Sequence, residues 1–166
     1  MAARLPKSLR VRTGQEVLVR PLREGDLPAW CAMIQACSDE SLWHRFERRS
    51  RKAILAEAPR FCSVNEREFV LVAEMQGRIV GEARLCLIPE LGAAEFCVLV
   101  ADPWQGLGLG SLLTDLTLAW ADEQGIRRIL VEVVSDNLRI LNMLRARGFR
   151  FFGSSGQMLW GERHRA

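Results

Sequence analysis

The residues Gln105-Gly106-Leu107-Gly108-Leu109-Gly110 follow an apolar run and open a long amphipathic segment. A strand that turns into a helix through such glycines presents unpaired backbone N–H groups at the positive end of a helix dipole, which suits phosphate. Glycine-rich turns serve several ligands, so the flanking residues decide among them. No Gly-Lys-Ser/Thr follows, which removes the P-loop. A dinucleotide fold needs glycine or alanine where Ser111 stands and a second half-domain for which the chain has no room. What remains is the spacing Gln-x-x-Gly-x-Gly at Gln105, Gly108 and Gly110, or a purely structural turn. Three glutamates, Glu82, Glu95 and Glu132, lie inside expected strands, where a carboxylate can take a proton directly or through a water.

Those groups need elements to position them. Val17, Leu18 and Val19 before Arg20-Pro21 predict a strand over 16–22. Asp26 ahead of Leu27-Pro28 is a helix start, and the run to Cys37 puts Leu27, Trp30, Cys31 and Ile34 on one face. Further short helices are expected over 38–46 and 50–61, with Pro59 marking the end of the second. From Glu68 the period changes to that of a strand over 69–73, a tight turn at Gln76-Gly77 and an antiparallel return over 78–87. A strand over 94–100, the glycine loop, a helix over 111–124 stopped by Gly125, and a strand over 128–135 read as one parallel βαβ unit. A helix over 137–147 ends at Gly148, and short strands over 149–152 and 157–160 close the chain.

At 166 residues and 18.8 kDa there is room for one domain, expected over 15–166 behind a basic tail over 1–14. The tail carries Arg4, Lys7, Arg10 and Arg12 without an acid in its first twelve residues, and it lacks the apolar stretch of a secretory signal. No apolar run is long enough to cross a membrane. Five cysteines, an odd number without a close Cys-x-x-Cys pair, read as reduced small hydrophobes in a cytoplasmic protein. His44 and His164 lack partners at ligand spacing, so no metal is expected, and His44 reads as packed or half-exposed. A net charge of +3 does not announce a nucleic-acid binder. The local cluster Arg45, Arg48, Arg49, Arg51, Lys52 stands out, as a solvated helix face or as a steering surface for an acidic protein.

The glycine spacing resembles the pyrophosphate-binding signature of the GNAT N-acetyltransferases, and the order of elements is similar to that family throughout, including Asp136-Asn137 and Arg147-Gly148-Phe149. The chain looks particularly like bacterial protein-lysine acetyltransferases that act on acyl-CoA synthetases. That likeness lies in Ser38-Asp39-Glu40-Ser41-Leu42, Arg45-Phe46, Ala94-Glu95-Phe96, Ala101-Asp102, Trp104-Gln105-Gly106 and 132–137. The resemblance implies an α/β (α+β) fold: a mixed, mostly antiparallel central sheet with helices on both faces and one parallel βαβ unit. It implies acetyl-CoA as co-substrate, held by Gln105, Gly106, Leu107, Gly108, Leu109, Gly110 and Ser111, with backbone groups of Val98, Leu99 and Val100, and with Asn137 as contact or helix cap. The acceptor it implies is an amine, in this subgroup a protein lysine. The oligomeric state stays open between monomer and homodimer.

Acetyl transfer needs a neutral amine, and a lysine with pKa about 10.4 is uncharged roughly once in 2,500 molecules at pH 7. A base is therefore required, and the resemblance points to Glu95, ten residues before Gln105, with Glu82 and Glu132 structural. Many GNAT enzymes protonate the leaving thiolate with a tyrosine, but this chain has none, and Leu144 stands at that place. A small-molecule amine acetyltransferase and a non-catalytic acyl-CoA-binding module are the alternatives.

Overall fold

Eight strands and six α-helices make up the computed structural model, which describes residues 4–47 and 50–165. In chain order these are β1 (Lys7–Arg10), β2 (Glu16–Pro21), α1 (Leu27–Gln35), α2 (Asp39–Phe46), α3 (Arg51–Ala56), α4 (Ala58–Phe61), β3 (Glu68–Met75), β4 (Arg78–Ile88), β5 (Ala93–Val100), α5 (Leu109–Glu123), β6 (Arg128–Val134), α6 (Leu138–Arg145), β7 (Arg150–Ser155) and β8 (Met158–His164). The sheet order is β1-β2-β3-β4-β5-β6-β8-β7. Among the described residues only the β5–β6 pair is parallel, so the expected mixed, mostly antiparallel sheet with one βαβ unit is what forms.

Strand alternation divides the core between the two faces. From β5, Ala94, Phe96, Val98 and Val100 pack on the face covered by Leu109, Leu113, Leu116 and Ala121 of α5 and by Leu141 and Leu144 of α6. The spacing of four and three among Leu109, Leu113 and Leu116 lays them along one stripe. Leu99 turns the other way, toward Trp30 and Ile34 of α1, Leu42 and Phe46 of α2, Ile54 of α3 and Phe61 of α4. Trp30, Phe46 and Phe61 form an aromatic cluster there, with Trp30 stacked on Phe61 at 5.2 Å.

The structure corrects three expectations. Part of the segment read as a basic tail is β1, which pairs with β2 and brings Val11 into the core. Its charged residues mask a period-two pattern whose apolar members, Leu9 and Val11, need the open edge of β2 to be of use. The helix expected over 50–61 is two, broken at Glu57, because Pro59 sits in the first turn of α4 and starts a helix there rather than ending one. The closing strands are longer than expected, and β8 inserts between β6 and β7.

One irregularity of the sheet matters for function. β5 is paired with β4 along its whole length, from Ile88↔Ala93 to Gly81↔Val100, and β6 stays paired with β8 as far as Val134↔Met158. Between β5 and β6 the register covers only Ala93↔Arg128, Ala94↔Ile129 and Glu95↔Leu130. Beyond Glu95 the sheet parts into a V that widens toward the glycine loop.

Candidate active site

A cleft of about 690 Å³ occupies this V, with walls from α2, β5, the glycine loop, β6 and α6. At its wide end the loop rises into α5 through Gly106 and Gly108, whose φ angles of 81° and 90° belong to the left-handed region that favours glycine. No side chain caps α5, and Gly108 occupies its N-cap, so the first-turn amides stay available. A Cβ at Gly106 would meet nothing within 4 Å, and one at Gly108 would lie 3.6 Å from Arg12 Nε. Gln105 holds the turn in place: its Nε2 donates to Val100 O at 2.9 Å and to Ser41 Oγ at 3.1 Å. Ser38 N donates to Asp102 Oδ1 at 2.7 Å, which fastens the start of α2 to the end of β5.

The backbone of β5 completes the wall. Ala101 N donates to Val80 O, toward β4, whereas Val100 O faces Gln105. Alternation then turns the peptide groups of Val98 and Val100 to the open side and the amide of Leu99 toward β4. Val98, Leu99, Val100, Gln105, Gly106, Gly108, Leu109, Gly110, Ser111 and Asn137 all line the cleft. Leu107 does not; it packs against the core. Asn137 stands at the N-cap of α6 without a capping side-chain bond.

The narrow end is built from carboxylates. Glu95 is the last paired residue of β5 before the V opens, next to the cleft-lining Phe96 and Cys97 although not itself in the lining. Although Glu95 is exposed at the surface, its carboxyl is raised above the usual glutamate range, by partial desolvation from the surrounding walls first and by Glu132 second, with the Arg45 cation opposing. Glu132 lines the cleft and accepts a hydrogen bond from Trp160 Nε1 at 2.9 Å, a position the structural reading of this residue did not foresee. Glu47, directly after α2, joins them: its carboxyl is raised by burial, then by the charge of Glu132 and a hydrogen bond with it, and by Glu95.

Beneath this end lies Glu82, fully buried. Trp30 Nε1 donates to its Oε2 at 3.0 Å, Arg84 Nη2 at 3.1 Å, and Arg45 Nη2 sits 3.7 Å from Oε1. Burial pushes this carboxyl up, yet Arg84, Arg45 and the indole bond outweigh it and hold it below the usual range. Glu82 is thus held inside a buried charge network, and it anchors Arg45 at the cleft wall.

Within the basic cluster, Arg45 and Arg51 do not face outward, whereas Lys52 is exposed. Arg45 turns inward and its side chain is 11% exposed. Arg51 is bound to Cys37 O and Asp39. Arg48 and Arg49 lie outside the described residues. Three groups that the sequence reading passed over do line the cleft: Arg12, and His44 with Asp136 at 2.9 Å. Arg12 came from the supposed tail, and a single histidine without ligand spacing carries no signal until the fold supplies its partner.

The Acetyltransferase (GNAT) family model matches residues 30–149, which span this loop, both walls of the V and α6. The chain belongs to the GNAT acetyltransferase family. This family uses acetyl-CoA, and the glycine cradle with its free amides fits the pyrophosphate of that molecule. Among its GNAT relatives the chain is 26% identical over 142 residues to acetyltransferase Pat of Mycolicibacterium smegmatis, covering 84% of this chain and 43% of that protein. It is 28% identical over 141 residues to acetyltransferase PA5475 of Pseudomonas aeruginosa, covering 82% and 76%. The chain therefore spans less than half of the mycobacterial relative. The GNAT domain of S. lividans PAT superposes with a TM-score of 0.82 at 27% identity over 95% of this chain and 96% of that one. The N-acetyltransferase PaiA of Thermoplasma acidophilum, in complex with coenzyme A, shares the fold at a TM-score of 0.69 and 19% identity, over 90% of this chain and 99% of that one.

Proposed function

We propose that this acetyltransferase moves the acetyl group of acetyl-CoA onto a lysine amine of a protein by direct attack, with Glu95 as base. The observation that carries the reading is the polarity of the V. Uncapped backbone amides of α5 stand at its wide end, and Glu95, Glu132 and Glu47 gather at the narrow end. Pantetheine runs between β5 and β6, its amides meeting the open edges of Val98 and Val100, and the pyrophosphate lies over 105–110 with Asn137 beside it. Arg12, whose backbone N–H donates to Leu107 O at 3.3 Å, adds a cation beside Gly108.

The carboxylates favour a cationic acceptor, since they attract the ammonium form and then take its proton. A raised glutamate pKa brings the base nearer to working pH, which improves proton transfer. The amine nitrogen bonds to the thioester carbon as Glu95 accepts its proton, and collapse of the tetrahedral intermediate expels CoA. Likeness to the Pat proteins favours a protein acceptor, an acyl-CoA synthetase in the subgroup that the motifs resemble. Five free thiols suit a reducing, cytoplasmic setting.

The test is turnover. Acetyl-CoA is incubated with lysine peptides, whole acyl-CoA synthetases, polyamines and aminoglycosides, and free CoA is measured. Release with proteins or lysine peptides is expected; release only with small amines would move the acceptor to that class.

A further inference from the structure

His44 and Asp136 meet across the cleft. His44 Nε2 lies 2.9 Å from Asp136 Oδ1, and the two come from opposite sides of the V, α2 and the turn between β6 and α6. The imidazole is mostly covered, at 17% exposure, while the carboxylate is open, at 74%. Both residues line the cleft together with Cys97, Val98 and Leu144.

Acetyl transfer leaves a thiolate that must gain a proton, and the cleft offers few sources. Arg45 is committed to Glu82. Arg12 and Arg139 are guanidiniums, which keep their protons near neutrality. Burial raises the Cys97 thiol, which makes it a poorer acid. There is no tyrosine in the chain, and the lining serines are weaker acids than a thiol. Glu132 and Glu40 also line the cleft, but Glu132 is grouped with the base at the narrow end and Glu40 is an exposed residue in the first turn of α2. Imidazole is the side chain suited to donate and recover a proton near neutral pH. With Nε2 engaged by Asp136, Nδ1 is left as the nitrogen free to serve the cleft.

We propose that His44, oriented by Asp136, is the catalytic acid that protonates the CoA sulfur as it leaves. This rests on the acetyl-transfer reading and deepens it. As the tetrahedral intermediate collapses, the oxyanion pair re-forms the carbonyl, the C–S bond breaks with its electrons going to sulfur, and sulfur takes the proton from Nδ1 of the imidazolium. Neutral His44 keeps its Nε2 proton on Asp136 and regains the other from solvent, to which Glu95 returns the proton taken from the amine.

The experiment uses the whole chain, acetyl-CoA and a lysine peptide that the wild type acetylates, with CoA affinity measured separately by calorimetry. His44→Ala should lower kcat about 10²-fold with CoA affinity unchanged, and added imidazole should restore part of the rate in this variant but not raise the wild type. His44→Gln, which can keep the bond to Asp136 but supplies no acid, should be as slow as the alanine variant. Asp136→Asn should show a smaller loss in kcat. Wild-type turnover by His44→Gln, a loss residing in CoA binding, or a slow His44→Ala that imidazole does not rescue would each overturn the proposal while leaving acetyl transfer intact. Failure of the wild type to release CoA with any acceptor would instead overturn the acetyl-transfer reading, and this inference with it.

Discussion

The wide end of the cleft presents main-chain amides from one short stretch, 105–111, whereas the narrow end presents side chains from separate elements: Glu47 after α2, Glu82 on β4, Glu95 on β5 and Glu132 on β6. The wide end needs only glycines in the left-handed region and a helix to follow. The narrow end needs a buried charge network to hold Arg45, and through it the balance of charge around Glu95. Local geometry therefore sets the first end and tertiary packing the second, and substitutions should separate the two.

The largest effect should come from Glu82→Ala. It leaves Arg84 buried and Arg45 without its anchor, and breaking a buried pair destabilises by about 3–5 kcal/mol. Urea unfolding followed by circular dichroism reads this directly; a loss below about 1 kcal/mol would show that the narrow end is not braced by Glu82.

Glu95→Gln should lower turnover about 10²-fold, the scale of general-base loss, with acetyl-CoA affinity unchanged. As the proposed base, Glu95 must be deprotonated to act. The rate should therefore fall as pH drops through a value above the ordinary glutamate range, because partial desolvation and Glu132 raise this carboxyl. Arg45→Gln removes the opposing cation and should move that acid limb to higher pH. Unchanged turnover in Glu95→Gln would transfer the role to Glu132.

Gly108→Val acts only on the wide end. A valine at φ of 90° is strained by about 1–2 kcal/mol, and its side chain crowds Arg12, so acetyl-CoA should bind at least about tenfold more weakly in calorimetry. Unaltered affinity in a folded variant would remove the loop from the cofactor site. Arg12→Ala should have the smallest effect, a loss of about 0.5–1 kcal/mol in acetyl-CoA affinity as for an exposed ion pair, and none for acetyl-pantetheine, which has no phosphate. Equal losses for both ligands would show that Arg12 supports the loop rather than the phosphates.

The glycine loop, the β3–β4 hairpin and the β5–α5–β6 unit are legible in the chain because each depends on residues adjacent in sequence. Gly106 and Gly108 permit the turn wherever it is placed, and period-two and period-three-to-four patterns mark the strands and α5. Three misreadings have separate causes. β1 looked like a tail because its partner β2 was not in view; Pro59 starts a helix instead of ending one because proline is suited to a helix's first turn; and Arg45 looked like part of a surface because buried Glu82 lies 37 residues away.

What the sequence by itself determined is the fold class, the glycine turn between β5 and α5 and the presence of a strand glutamate ten residues before it. Tertiary structure alone decided where the β5–β6 ladder stops, which carboxylates share the narrow end, and that His44 faces Asp136 across 92 residues of chain. Backbone conformation is governed by near neighbours and steric limits, and so can be read locally. The charge state and reach of a side chain are governed by which groups surround it in a poorly solvated cleft, and those groups meet only when the sheet has formed and parted.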